Sequence, residues 1–597
     1  MRALLSSTIV VSLGTLLACS GTGMTGSDGG GDGIGVDGST DGTSPSDALP
    51  GDAPADGATC TDMDRDGVTT CAGDCNDGDP LVAPGLPELC GDMVDNNCNG
   101  MADEGCTRGL GTYVSAITGN DMNPGTRAMP VRTIRQGVVH AMMLGVPQSV
   151  IVAQGDYSEK VTMVAGVNLL GGFQCAMASC TWASDPAANA ANIRNVDLEG
   201  VLAPAAITRA TRIEGFHIYG RSGAGATPGS SGLTLAGSPT VRRNTIVGGD
   251  VTSGGFGADR SMGIRITPNP DPMGALIEGN DLAGGTSINS SVGLTFDWMG
   301  AMSATAVATV RGNVLRGGSG QRTAGMTAWI SGTGTLVTEN EIFPGTSTGG
   351  ASRGIEFGGR LTIDRNRIGT DPARAGSCTR PTGWCAGIYS ESSTSTITNN
   401  IVVGPPGPQS AAVFLGEFEV AAGAVILNAN TLDGGGSGPG SSPTRSAALV
   451  VSIGPCMTCG FRGQVGRVRN NILLGGNNAA RFGILEDPAM GRQMRPEVLQ
   501  NNLIFFAPAG GRTDVMYRQM PTSGTAMDVN MLAALNALTM PMSGANVSGD
   551  PLLDAMRHVM AGSPTIDRGT ATEAPMTDVD GDARPRGAGI DIGADER

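Results

Sequence analysis

Of 597 residues, one is a lysine, Lys160, and three are histidines, His140, His217 and His558. Aromatic residues make up 4% of the chain and charged residues 16%, with a net charge of −17. The deficit of basic residues argues against nucleic acid or anionic lipid as a partner, since either needs a cationic face. The histidines fall in separate segments and form no visible constellation, so none is a candidate catalyst. A helical-repeat protein would need long segments of 3.6 period rich in Leu, Glu and Lys, and a chain with a single lysine and 95 glycines does not supply them.

What the chain has is a recurring asparagine. Asn244, Asn280, Asn313, Asn340, Asn366, Asn400, Asn430, Asn471 and Asn502 each have an apolar residue three before and another two after, as in Val241-x-x-Asn244-x-Ile246 and Leu499-x-x-Asn502-x-Ile504. Spacings of 26 to 41 residues lie in the range of stacked structural units, each unable to bury its apolar face alone. Each unit also carries an earlier short stretch of period two, such as Gly232-Leu233-Thr234-Leu235, Gly263-Ile264-Arg265-Ile266 and Gly387-Ile388-Tyr389. These are strands, joined by Gly, Ser, Thr, Pro and Asn turns of uneven length.

Coils of short strands stacked about 4.8 Å apart make a parallel β-helix. There a buried asparagine at a tight inward turn bonds the backbone of its own coil and the amide of the next, so its polar atoms are satisfied. The open ends of such a stack need covers. At the start, Thr133–Leu144 places Ile134, Val138, Ala141 and Met142 on one face of an amphipathic helix. With Tyr113-Val114-Ser115, Gly119-Asn120-Asp121, Asn123-Pro124-Gly125-Thr126, Val150-Ile151-Val152 and Gly155-Asp156-Tyr157 around it, this region resembles the opening of secreted bacterial β-helix proteins related to pectate lyases. The resemblance implies an all-β fold, a right-handed parallel β-helix, over 107–545.

At the other end stand Gly549-Asp550-Pro551, Gly562-Ser563-Pro564-Thr565-Ile566-Asp567, Asp578-Val579-Asp580-Gly581, Arg584-Pro585 and Ile590-Asp591-Ile592-Gly593-Ala594. Residues 546–597 resemble the tail of choice-of-anchor Q β-helix proteins and are expected to close the solenoid. That scaffold hosts enzymes and non-enzymes alike.

The N-terminus points to export. Arg2 precedes the apolar stretch Thr8–Leu17, too short for a normal spanning helix, and Leu16-Leu17-Ala18-Cys19 resembles a lipoprotein cleavage box. On that reading 1–19 is a signal peptide with Cys19 lipidated, and Ser20 resembles the outer-membrane sorting choice; an ordinary signal peptide cut near Ala18 is the alternative. Membrane contact is then through the lipid alone, and the chain is expected to be a monomer. Residues 20–59, with seven aspartates and no basic residue, are a disordered tether.

Twelve further cysteines lie in local clusters: Cys60, Cys71, Cys75, Cys90, Cys98 and Cys106, then the pairs Cys175 and Cys180, Cys378 and Cys385, Cys456 and Cys459. Even numbers at short range suggest disulfides of an oxidising space. The Cys456-x-x-Cys459 spacing admits a zinc or redox role, but no second ligand pair or histidine accompanies it, and a loop staple is the simpler reading.

Chemistry is densest in 60–106. Asp62-x-Asp64-x-Asp66-Gly67 is followed by Asp74, Asn76, Asp77 and Asp79, then by Asp95-x-Asn97-x-Asn99-Gly100 with Asp103 and Glu104 behind it. Alternating oxygen donors before a turn-permitting glycine are the first half of a calcium loop, and hard oxygens favour calcium over copper or zinc. Position twelve is Gly73 or Cys106, so no complete EF-hand is present. With its six cysteines, Pro84-Gly85, Glu88 and Cys90-Gly91-Asp92, the segment resembles the metal-binding repeat named after MopE. Asn76, Asn97 and Asn99 stand where that family usually has aspartate, and the module has no tryptophan, which argues against copper capture. An acidic disulfide knot without metal is the alternative.

Two rows of side chains face outward. Two before each asparagine stand Arg242, Glu278, Arg311, Thr338, Asp364, Thr398, Asn428, Arg469 and Gln500. The Arg242-Glu278-Arg311 run invites a ligand face, but the cross-rung pairing and solubility of an exposed sheet are the favoured reading. On the other strand Thr234, Arg265, Thr295, Thr327, Glu356, Tyr389, Phe414, Val450 and Leu485 grow apolar toward the C-terminus. That stripe is either covered by loops, the favoured expectation, or a contact surface on which Tyr389 and Phe414 stack sugar rings. The reading is a surface-anchored, calcium-binding β-helix lipoprotein for binding or display of glycan or envelope partners; the alternative is an extracellular polysaccharide lyase or glycoside hydrolase.

Overall fold

A computed structural model describes residues 68–77, 82–86, 88, 94–104, 111–176, 180–224, 229–253, 259–269, 271–297, 306–329, 332–379, 383–391, 394–417, 425–437, 444–453, 466–487, 495–521 and 525–597. The expected signal peptide, tether, Cys19, Cys60, Cys90, Cys106, Cys456, Cys459, Asp62, Asp64, Asp66 and Asp79 lie outside them. Among the described residues no helix is long and apolar enough to cross a membrane.

Among the described residues, three long sheets of 14, 12 and 13 strands run along the solenoid. Within them every pairing is parallel except the last of the 12-stranded sheet, where Thr513–Gln519 meets Met527–Val529 antiparallel. One strand per coil enters each sheet, which is a parallel β-helix. Residues such as Val241, Ile246 and Ile264 point inward and form one continuous apolar core.

The asparagines form the expected ladder. Asn313 Nδ2 donates to Ile277 O of the preceding coil (2.8 Å), to its own coil at Arg311 O (2.9 Å) and to Asn340 Oδ1 of the next (3.0 Å). The same pattern runs from Asn280 to Asn502. It then continues one coil further to Asn546, whose Nδ2 bonds Asn536 Oδ1 at 2.9 Å. The residue before each of these ten asparagines, from Arg243 to Ala545, is left-handed, with φ between 49° and 61°. That conformation turns the chain sharply from the 14-stranded into the 13-stranded sheet.

The first coil is capped by α1 (Ile134–Leu144). Thr133 Oγ1 accepts from Gln136 N, and the Glu159 carboxylate accepts from Ile134 and Arg135 N at 2.8 and 2.9 Å. Ile134, Val138 and Ala141 pack into the core as expected, but Met142 does not: it is exposed, and Gly137 takes the fourth buried place. A Cβ there would lie 2.6 Å from Val114 Cγ2, so the glycine lets the helix approach the sheet.

The C-terminal segment differs from expectation. The last coil is closed by α2 (Leu532–Asn536), whose Leu535 is fully buried in the main core. Residues 551–597 instead fold back along the side of the solenoid, where Val559 and Ile592 pack on Ile472 and Leu503, and Val579 and Ala594 on Ile401. The reason is chemical: the outer face of the 13-stranded sheet is apolar at these positions and needs a cover, while one short helix suffices for the end. Polar clamps fix the strap. Asn399 Nδ2 donates to Thr577 O (2.8 Å) and Asn470 Nδ2 to Thr570 O (2.8 Å), while the fully buried Arg584–Glu596 pair (2.7 Å) pins the strap to itself.

Candidate functional site

Around the metal motif, Cys75 and Cys98 are joined (Cα–Cα 5.6 Å), and Cys71 is also disulfide-bonded. The loop 95–104 winds around its own carboxylates. Asp95 accepts from Asn99 N (3.1 Å) and Gly100 N (2.6 Å), and Asn97 Oδ1 accepts from Asn99 N (3.1 Å). The amides of Asn97 and Asn99 both turn to Glu104 Oε1, while Glu88 accepts from Asn97 N (3.0 Å) and Asp103 N (2.8 Å). Asp95, Asn97, Asn99 and Glu104 thus converge, an all-oxygen set once the two amides present Oδ1. That chemistry fits a hard cation. Asp74 is buried against Asn76 N (2.8 Å) and Asp77 stands close by in sequence; Asp103 contributes its backbone here. Glu104, which follows the alternating donors in sequence, and Glu88, which the family resemblance includes, both bond across the loop.

The expected ligand face at Arg242, Glu278 and Arg311 is not an exposed face. Glu278 is an ion-pair centre between Arg242 (3.5 Å) and Arg311 on neighbouring rungs, all three side chains at most 12% exposed. The cross-rung pairing reading holds and the exposure does not. Tyr389 and Phe414 do not make the bare sugar-stacking surface, the alternative to a covered stripe. They stack on each other (centroids 4.5 Å apart), Arg353 covers the Tyr389 ring at 3.4 Å, and Phe414 is buried. With Trp384, Val450, Phe482 and Leu485 they form a second apolar core outside the sheet. Trp384 leads into Cys385, which is disulfide-bonded to Cys378; Cys175 and Cys180 are likewise joined.

The open site lies beside that cluster, on the outer face of the 12-stranded sheet. Its strands are β1 (Arg260–Ile266), β2 (Ser290–Phe296), β3 (Arg322–Ala328), β4 (Ser352–Phe357) and β5 (Cys385–Ser390). A hollow of about 440 Å³ is lined by residues of β1 to β4 with Asn289, Asp297, Gln321 and Trp329. The indole of Trp329, 38% exposed, lies over Gly358 of the next rung: a Cβ there would be 2.7 Å from Trp329 Cε3. Only a residue without a side chain lets the ring lie down.

Arginines and carboxylates alternate around the indole. Asp297 is bound by Arg260 (2.6 Å) and Arg265 (2.7 Å); Glu356 is bound by Arg322 (2.9 Å) and Arg353. Burial pushes the Asp297 carboxyl up, but Arg260 and then Arg265 outweigh it and hold it below the ordinary range. Burial pushes Glu391 up to about 7, with Glu356 adding to the rise and Arg353 opposing it. The acids are recessed while Arg322 is 60% exposed, so what meets a ligand is guanidinium and indole. A second hollow of about 270 Å³ beside Thr333, Arg360 and Thr394 has no ring platform.

Against known proteins, residues 74–104 match the Cu-binding MopE family model, described as "Putative metal-binding motif". No curated protein matches the chain. Similar solved structures include a pectate lyase, Pel9A (12% identity, TM-score 0.34, covering 81% of this chain and 96% of that one), and XylC in complex with xylose (10%, 0.37, 81% and 98%). The coil is established by the sheet pairing itself, and at these scores the likenesses carry no inference about ligand or reaction.

Proposed function

We propose that this chain is an exported lipoprotein whose β-helix binds a glycan, held off the outer membrane by the tether and carrying a calcium-dependent module between tether and solenoid. The observation that carries the glycan reading is Trp329 lying on Gly358 in a hollow rimmed by arginine. A flat, exposed indole gives a sugar ring an apolar face, and guanidinium donors reach its oxygens. Calcium suits the oxygen set of the 95–104 loop, with Asp95, Asn97, Asn99 and Glu104 as ligands; bound there, it would fix the loop electrostatically. The box ending at Cys19 supports the lipid anchor, and the C-terminal motifs support kinship with choice-of-anchor Q chains.

The enzymatic alternative has one observation in its favour, a low carboxyl at Asp297 and a raised one at Glu391. They stand three rungs apart, ~14 Å along the stack, beyond the ~6.5–9.5 Å of an inverting glycosidase pair. That spacing removes this pair as an inverting glycosidase's; a lyase is separated by product analysis, and binding is the reading proposed. Affinity electrophoresis of the full chain in gels containing polysaccharides tests it: retardation in at least one gel, lost in Trp329→Ala, is expected. For the metal, addition of calcium should raise the melting temperature of the oxidised chain and chelator should lower it, because a ligand of the folded form alone shifts the equilibrium. Indifference to both would remove calcium.

A further inference from the structure

Two arginines of the hollow that reach solvent, Arg260 (24% exposed) and Arg322 (60%), are spaced in a way that selects among charged glycans. Arg260 of β1 pairs in register with Ser290 of β2, and Ser290 with Arg322 of β3. The two arginines thus occupy the same lateral position two rungs apart, ~9.6 Å, with a neutral serine between them. The inner row repeats the pattern in part: Thr295 and Thr327, hydrogen-bonded at 2.7 Å, separate Arg265 from Glu356. At the Trp329 rung the described wall is indole and hydroxyl, with Arg322, 60% exposed, at the start of the same strand.

An extended pyranose residue advances its chain by about one rung. We infer that the groove takes an anionic glycan bearing one acidic group on every second sugar, its acid groups at Arg260 and Arg322, one neutral ring between them at Ser290 and the next neutral ring on the Gly358 rung against Trp329. This rests on the glycan-binding reading above and narrows it. A homopolyuronide, acidic at every residue, would place a carboxylate against Ser290, where no guanidinium meets it and desolvation is uncompensated. A neutral glycan would leave the arginine donors to water. The recessed acids Asp297 and Glu356 do not reverse the preference, because Arg260 and Arg322 stand in front of the pairs they form.

The test is calorimetric titration of the full oxidised chain with three oligosaccharide probes of equal length: hyaluronan, with one carboxylate per disaccharide; polygalacturonate, with one per residue; and cello-oligosaccharide, with none. Hyaluronan should bind most tightly, by about tenfold or more, and Arg322→Gln or Arg260→Gln should each weaken it by about tenfold. Both side chains reach solvent, and unchanged melting temperatures will show that the variants are folded. Equal or tighter binding of polygalacturonate or cello-oligosaccharide, abolished in Trp329→Ala, would overturn the alternation while leaving the glycan reading intact. Hyaluronan binding that survives both arginine substitutions would overturn it as well. No binding of any probe, or binding indifferent to Trp329→Ala, would remove both.

Discussion

Asn313 Oδ1 accepts two hydrogen bonds from Asn280, one from its main-chain N at 2.9 Å and one from Nδ2 at 3.0 Å. Each rung of the ladder therefore satisfies the donors of its neighbour, and the amides are buried without an unpaired Nδ2. Replacing one of them in mid-stack, Asn366→Ala, strands Asn340 N and the carbonyls of Val337 and Asp364, while Asn340 Nδ2 keeps Val310 O and Thr338 O. Loss of roughly 2–5 kcal/mol is expected from buried groups left without partners, read as a lowered midpoint in urea. An unchanged midpoint would mean that water replaces the amide.

The left-handed residue before each asparagine gives the opposite kind of test. Gly279 and Gly312 suit that backbone, whereas Ala429 and Ala545 hold it at φ 56° and 53° against their own preference. Ala429→Gly should stabilise by about 1 kcal/mol and Gly312→Ala should destabilise by a similar amount. Thermal unfolding of the two variants reads both signs.

Phe414 lies under cover, so its truncation is a matter of stability and not of binding. Phe414→Ala should cost about 3–5 kcal/mol through lost burial and the cavity left beside Tyr389 and Val450. Glycan affinity of the folded variant should be unaltered, as judged by the same titration used for the wild type.

Glu391 predicts a pH dependence whose sign is fixed. Burial raises its folded carboxyl to about 7 from the ordinary 4.5, so the folded protein holds a proton that the unfolded chain has released. Its contribution to stability is complete below pH 4.5 and is lost as pH rises through about 7. The groups facing it are Arg353, Glu356, Tyr389 and Arg322. Melting curves between pH 4.5 and 7.5 should fall more steeply in the wild type than in Glu391→Gln; parallel curves would show that the group titrates normally.

The repeat was legible in the sequence because one residue type does one task at every turn, with apolar neighbours fixed by the core. Asn546 escaped that pattern since Ser543 and Ser548 flank it, the final coil resting on α2 and the strap. The outward row from Thr234 to Leu485 was also legible, and it pairs in register rung by rung. Whether such a row is bare was not, because what packs on it is fixed from afar: Trp384, part of the same cluster, donates to Asp487 across 103 residues. Trp329 was missed for a related reason. It follows its strand and belongs to no repeated position, and only the stacked coils bring Gly358 beneath it. In the metal loop the alternating Asp and Asn were readable, whereas the closing carboxylate of Glu104 depends on a turn that spacing alone does not specify.

The most direct measurement combines binding with product analysis: titrate a hyaluronan oligosaccharide into the wild type and Trp329→Ala, then assay the same mixtures for new reducing ends and for the ultraviolet absorbance of unsaturated sugars. Saturable binding that Trp329→Ala abolishes, with neither chemical signal rising, is the expected result. A rise in either signal that depends on Asp297 or Glu391, or binding undiminished without the indole, would contradict a non-catalytic glycan-binding groove built on Trp329 and Gly358.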